Sequence, residues 1–398
     1  MKKSLLCAAV FASFATASMA ADVQMFGFFD QGMAYLHEDL ADTMGGPVGG
    51  KQAYLGENGK VAMAPGKSNL SQGTGNVSTW GVRGKEKISD DLTVGFHLEH
   101  AFLADTGALY NPNIFFERES SVYMDSNTWG QIKFGRMPAM TTGSGTTGLF
   151  NSRTNPFGAG WGNMTGGWKF VGTLATARHS NMINYKTPVM NGVQLHLQHS
   201  FGDDKTINGE TYKEGSSKVN RFSALGVTVT GEKYFVAAAV DWLKMGSKTG
   251  GVQDDSYKAI VGGHYNFGAF KAYAAVEYMD NVQYIGGYST KEFAPMTLTQ
   301  KANGDLTKGF DGWAIALGAD TQIAGGKAML SVGYGFGENQ NLTDNKDYSR
   351  FNVGLGYNYP LSKRTSVYAI GGYFWEDADF NEDEIYAHEV IVGMMHRF

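Results

Sequence analysis

From Ala328 to Gly337 the chain alternates without interruption. Ala328, Leu330, Val332, Tyr334 and Phe336 fall on one face; Met329, Ser331, Gly333, Gly335 and Gly337 fall on the other. Residues 350–359 repeat the pattern, with Phe351, Val353, Leu355, Tyr357 and Tyr359 opposite Asn352, Gly354, Gly356 and Asn358. Earlier, Val94, Phe96, Leu98 and Phe102 oppose Thr93, Gly95, His97 and Glu99. A side-chain period of two belongs to strands with one apolar and one polar face. A soluble sandwich produces it too, so length and loop pattern must separate the cases.

Sixteen segments carry the pattern, near 22–37, 73–87, 91–104, 114–125, 129–137, 177–187, 192–201, 219–229, 232–244, 255–266, 270–280, 310–322, 327–337, 348–359, 365–376 and 386–398. Many run about ten residues or more, beyond the five or six usual in globular strands and suited to a tilted membrane-spanning strand. Their connections alternate between short and long. Seven short ones lie near Ser89–Asp90, Ser126–Asn127, Val189–Asn191, Thr230–Gly231, Phe267–Ala269, Ala324–Gly326 and Pro360–Lys363, with eight longer ones between. Sixteen strands with both chain ends on one side need that number of turns and loops. A closed barrel leaves no edge and satisfies every backbone hydrogen bond, the β solution that lipid permits. The fold expected is therefore all-β: a 16-stranded antiparallel transmembrane β-barrel. Aromatic pairs at strand ends, Tyr357 with Tyr359 and Tyr373 with Trp375, fit interfacial girdles.

Composition removes the competing classes. The 54 glycines have no three-residue period, which excludes collagen, and 42% hydrophobic residues exclude disorder. One Cys cannot build a disulfide framework. The net charge of −5 carries no basic excess for nucleic acid. Beyond the first twenty residues, no run of eighteen apolar residues offers a membrane helix. Those first residues have their own logic: Lys2 and Lys3, an apolar core from Leu5 to Ala15, then Ser18 and Ala20 at the positions a signal peptidase requires. Residues 1–20 are expected to be a signal peptide, removed with Cys7, leaving 21–398 as one barrel domain.

Several short runs then resemble the general diffusion porins of Gram-negative outer membranes, particularly the β-proteobacterial and neisserial type. Met25-Phe26-Gly27-Phe28-Phe29-Asp30 is similar to the opening strand of that family, and Ser78-Thr79-Trp80-Gly81-Val82-Arg83-Gly84 to its second. Trp129-Gly130-Gln131-Ile132-Lys133-Phe134-Gly135-Arg136 resembles the strand entering the constriction loop. Asn184-Tyr185-Lys186-Thr187-Pro188, Leu361-Ser362-Lys363-Arg364-Thr365 and the closing Val392-Gly393-Met394-Met395-His396-Arg397-Phe398 match further stretches. The resemblance implies a homotrimer, each barrel with its own pore and a third loop folded inward, here about 138–176. It also implies outer-membrane lipid and lipopolysaccharide as surroundings, and barrel-assembly machinery that reads Phe398 as the terminal signal. The family's acidic Pro-Glu-Phe-Gly-Gly-like run has become Asn155-Pro156-Phe157-Gly158-Ala159-Gly160, without its carboxylate. Enteric-type porins carry a basic residue where Phe28 and Thr79 stand.

The constriction must then be argued from local charge. Residues 126–202 contain no Asp or Glu but hold Lys133, Arg136, Arg153, Lys169, Arg178 and Lys186, with His179, His196 and His199. Alternation turns Arg83 inward, and the period turns Arg178 inward, seven residues before Tyr185. Arg118 resembles a family wall arginine. Fixed positive charge in a narrow, water-filled constriction raises local anion concentration, which predicts anion preference. The alternative is that these cations pair with Asp30, Glu99, Glu117 or Glu119 and leave only a transverse field.

Catalysis finds no support. His37-Glu38 lacks a second His at zincin spacing, and Thr142-Gly143-Ser144-Gly145 lacks the first Gly of a nucleophile elbow. Gly333-Tyr334-Gly335-Phe336-Gly337 sits inside a strand and reads as lumen glycines. Asp377, Asp379, Asn381 and Asp383 alternate like hard-cation ligands, yet Glu382 stands where a Ca²⁺ loop wants Gly. These residues read as a solvated acidic loop, with no metal and no cofactor. Phe157, Trp161, Trp168 and Phe170 read as packing the third loop on the wall. The expected function is passive diffusion of small ions and solutes. The alternatives are an eighteen-stranded specific channel, with two more spans inside 38–72 or 281–309, and a secreted β-rich adhesin.

Overall fold

A computed structural model describes residues 21–39, 77–143, 145–150, 152–158, 161, 172, 178–202, 206–207, 210–211, 213–246, 254–282, 284–285, 296–297, 308–340, 347–379 and 385–398. Sixteen strands form one closed antiparallel barrel. The first eight are β1 Ala21–Asp39, β2 Thr79–Lys87, β3 Leu92–Ala101, β4 Glu119–Ser126, β5 Gly130–Pro138, β6 Arg178–Lys186, β7 Val193–Ser200 and β8 Arg221–Thr230. The rest are β9 Tyr234–Lys244, β10 Ser256–Asn266, β11 Lys271–Val282, β12 Phe310–Ile323, β13 Gly326–Asn339, β14 Asp347–Pro360, β15 Thr365–Ala378 and β16 Ile385–Arg397. Each alternating segment of the sequence has become one strand. The ring closes between β1 and β16, with Met33 opposite Val392 and Phe28 opposite Arg397. The eighteen-stranded alternative is thereby overturned. Within 281–309, Tyr284–Ile285 and Met296–Thr297 form a separate two-stranded sheet outside the ring. The described residues contain no helix that could cross a membrane.

Alternation sorts the two faces as physics requires. Along β13, Leu330, Tyr334 and Phe336 are exposed, whereas Ser331 is fully buried and Gly333 and Gly335 face Asn352 and Arg350 of β14. Leu225, Val240, Val261, Leu317, Leu355 and Val390 join the exposed apolar surface. A band of this kind is stable against hydrocarbon and costly against water. The short connections gather at one rim and the long ones at the other. The tightest turn, Ala324–Gly325, places both residues at positive φ (50° and 81°), the hairpin geometry that matches strand twist.

The buried core is not at a sheet–sheet interface but inside the ring. Ala139, Met140, Leu149 and Phe150 pack with inward residues of β8 to β15, including Phe222, Ala237, Ile260, Ala275 and Phe374. A second cluster joins Phe157 and Trp161 to Met329, Tyr368, Ile370 and Ile391.

Candidate functional site

The segment after β5 is built to lie along the inner wall. Met140 donates its backbone N–H to Gln198 Oε1 of β7 at 2.7 Å, and Thr141 Oγ1 donates to Asp241 of β9 at 2.5 Å. The Arg153 carbonyl lies 2.7 Å from His264 Nδ1 of β10, and Asn155 Nδ2 donates to Ser331 Oγ of β13 at 2.9 Å. Beyond it, Trp161 meets the Tyr368 ring of β15 edge-on at 5.1 Å. These contacts follow the inner face from β7 to β15 and satisfy a loop that would otherwise bury unpaired backbone groups. Inward glycines make room for it. A Cβ at Gly318 would stand 2.6 Å from Pro156 Cδ, and one at Gly356 would stand 2.6 Å from the Phe157 ring. Glycine at these two positions therefore seats the loop and does not simply widen the lumen.

The predicted site residues divide by what they touch. Arg83 is exposed on the inward face of β2, its guanidinium 5.0 Å over the Phe26 ring and 3.3 Å from Gln24 Oε1. Arg118, just before β4, is held by Glu99 at 2.7 Å, and His97 Nε2 is 3.4 Å from the other oxygen of that carboxylate. Lys133 and Glu119 form a buried pair at 3.0 Å, closed by Ser121 and by Thr146 of the loop. Asp30 is fully buried and accepts the Tyr368 hydroxyl at 2.6 Å. Arg136 donates to the Glu117 carbonyl at 2.8 Å and to Ser180 Oγ at 3.0 Å. Arg153 is exposed, with its guanidinium 4.4 Å over the Phe235 ring. Lys169 lies outside the described residues, as do Trp168, Phe170 and positions 380–384 of the acidic loop. Glu376 of that acidic run belongs to β15 and pairs with Arg350. Phe398 exchanges backbone hydrogen bonds with Gly27 at 3.1 and 3.2 Å, sealing the ring at the chain end.

Arg178 departs from its expected face. A register shift between Gly135 and Met137, with Asn181 at φ 54°, puts His179 opposite the inward Met137 and Arg178 opposite Pro138. One extra residue in a strand reverses the parity beyond it. His179 stacks on Phe222 at 4.3 Å, while Arg178 Nε donates to the Arg118 carbonyl at 3.0 Å. Arg178 braces the wall there. Glu117, in the same corner, accepts from the Ala101 N–H at 3.1 Å, and its burial raises its carboxyl above the usual range against the pull of Arg118 and Arg178.

Lys186, one of the cations of the acid-free window, faces inward from β6. Its register partners, Gln131 and His196, are inward, and it lies within electrostatic range of Asp125, Lys133 and Arg153. Thr146, Gln24 and Tyr368, which fix the charged groups, have no signature in the linear pattern.

A family model described as Gram-negative porin matches residues 5–379. An outer membrane porin protein of Bordetella pertussis is 29% identical over 417 aligned positions, spanning all of both chains. Outer membrane porin protein 32 of Delftia acidovorans is 27% identical over 372 positions, covering 92% of this chain and 88% of that one. Among solved structures, an anion-selective porin from Comamonas acidovorans superposes with a TM-score of 0.65 at 20% identity, covering 95% of this chain and 100% of that one.

Proposed function

The chain belongs to the family of Gram-negative porins, a multi-pass barrel of the outer membrane, and from that premise we propose that its pore prefers anions. The observation that carries the reading is an imbalance of pairing. Of the inward carboxylates, Glu99 is taken by Arg118, Glu119 by Lys133, Asp241 by Lys258, Glu376 by Arg350, Asp320 by the Tyr273 hydroxyl and Asp30 by the Tyr368 hydroxyl, while Glu277 and Glu389 are buried in the wall. Arg83 and Lys186 form no ion pair among the described residues, and exposed Arg153 lies near Lys186. Fixed positive charge beside low-dielectric walls enriches anions in the water between. The anion-selective porin from Comamonas acidovorans shares the fold, which is compatible with this reading.

The rest of the reading follows from family and geometry. The loop from 139 onward narrows the lumen, residues 1–20 direct export, and three chains assemble into a homotrimer. Lipopolysaccharide surrounds the trimer, and assembly machinery recognises the strand ending in Phe398. Transport is passive, without catalysis or cofactor. The test is a reversal potential across a KCl gradient in a planar bilayer. Wild type should give the sign of an anion-selective pore, and Arg83→Glu should move it toward cations more than Lys363→Glu at the turn rim does. A cation-selective wild type would overturn the proposal.

A further inference from the structure

The wall holds Arg153 at both ends. Its carbonyl accepts from His264 Nδ1 of β10 at 2.7 Å, and its guanidinium stands 4.4 Å over the Phe235 ring of β9. Phe235 and His264 are register partners on the inward face, their rings stacked at 6.0 Å. Thr154, the next loop residue, sits beside Gly262, where a Cβ would come within 3.3 Å of Thr154 Cγ2. The hydrogen bond also fixes the state of the imidazole. A carbonyl oxygen only accepts, so Nδ1 carries the hydrogen, and in a neutral ring the other nitrogen is then an acceptor. His264 is half-buried, and its Nε2 makes no hydrogen bond among the described residues. Tyr273 packs on the same ring at 5.6 Å, but its hydroxyl is turned to Asp320 at 2.6 Å and does not supply that nitrogen with a donor. The surroundings are cationic. Lys186 and His196, opposite each other on β6 and β7, lie within electrostatic range of Arg153. Asp125, in range of Lys186, stands two strands away on β4, across Gln131 of β5, and Asp320 is engaged by Tyr273 with Lys327 at 3.9 Å.

We propose that Arg153 and His264 form a lumen subsite for small oxyanions that carry their own O–H, of which monohydrogen phosphate is the simplest. The inference rests on the anion-preferring reading of the pore and adds a discrimination that charge alone does not make. The guanidinium takes the charged oxygens, the geometry for which a planar fork of donors is suited. Nε2 of His264 accepts the hydrogen of the bound anion. Sulfate has the same double charge but no hydrogen, so it sets oxygen lone pairs against the nitrogen lone pair and leaves that acceptor unmet. A polar group placed to pair with a ligand hydroxyl rejects the analogue that lacks it, which is a stronger filter than size. Lys186 and His196 stand on the approach and raise the local concentration of both anions alike. The loop contributes the charge and the wall contributes the acceptor, so the subsite exists only because Arg153 is docked on β9 and β10.

The test is block of chloride current through the purified full-length barrel in a planar bilayer. Potassium phosphate at about pH 8, chiefly the monohydrogen dianion, is compared with potassium sulfate at equal ionic strength. Phosphate should halve the wild-type current at a concentration at least about threefold below that of sulfate, the worth of one net hydrogen bond. His264→Asn, whose amide can still donate to the Arg153 carbonyl but leaves nothing at the Nε2 position, should be blocked equally by the two anions. His264→Gln returns a carbonyl oxygen near that position and should recover part of the preference, whereas Arg153→Gln should weaken both blocks. Equal block of wild type by the two anions, no block by either, or a preference for phosphate that survives His264→Asn would overturn the proposal. The wild-type comparison decides it even where a variant fails to assemble. A cation-selective reversal potential in KCl would instead sink the anion-preferring reading, and stronger block by phosphate than by sulfate in such a pore would still uphold the subsite.

Discussion

Glu119→Gln isolates a buried electrostatic contact in the lumen wall. Glu119 and Lys133 are 3.0 Å apart, with side chains 0% and 5% exposed. At that separation and an effective dielectric of about 20, their attraction is about 5 kcal/mol. Removing one partner leaves Lys133 buried and uncompensated, at an expected cost of about 3–5 kcal/mol, whereas replacing both by neutral groups is commonly close to neutral. Glu119→Gln should therefore unfold at markedly lower urea from lipid vesicles, while Lys133→Met/Glu119→Gln returns to within about 1–2 kcal/mol of wild type. The double-mutant cycle should therefore show a clear coupling, the double variant being far less destabilised than the sum of the two singles. Thr146 of the third loop donates to the same carboxylate, so the single variant should also loosen the loop and raise current noise in single-channel records. A single-variant cost under about 1 kcal/mol, or a double variant equal to the sum of the singles, would refute the claim that this pair is buried and mutually compensating.

Three further outcomes follow from local geometry. Gly356→Leu drives a side chain into the Phe157 ring, so overpacking of about 1–3 kcal/mol should displace the loop. Single-channel conductance should change while the barrel still shows heat-modifiable migration. Ala324 sits at φ 50° in the β12–β13 turn, so Ala324→Gly should raise the urea midpoint by the equivalent of about 0.5–1 kcal/mol. Burial raises the Glu117 carboxyl above its ordinary 4.5, so its contribution to stability is full below that value and is lost as pH climbs through the folded-state value. Thermal stability of wild type should consequently decline with rising pH above about 4.5 relative to Glu117→Gln, whose profile should be flatter.

The strands were legible because their signal is local. Leu330, Tyr334 and Phe336 against Ser331, Gly333 and Gly335 declare strand, face and environment in ten residues, and the short connections declare which rim is which. Arg83 kept its face because nothing interrupts β2. Arg178 lost its face because one residue near Asn181 shifts the register, and a bulge leaves no mark in residue type. The acid-free window 126–202 was visible as a run, but its charge was not, because Lys133 finds its carboxylate at Glu119, outside that window.

By itself, then, the sequence determined the barrel, its strand number and its apolar outside, since a period of two and the demand for satisfied backbone hydrogen bonds in lipid leave no other closed solution. Only the tertiary structure decided which cations stand open to the pore. Pairing depends on residues brought together across the ring: Tyr368 on Asp30, Thr146 on Glu119, Glu99 on Arg118. Those distances are set by closure and by the path of the third loop along the inner wall, and neither is encoded in the spacing along the chain.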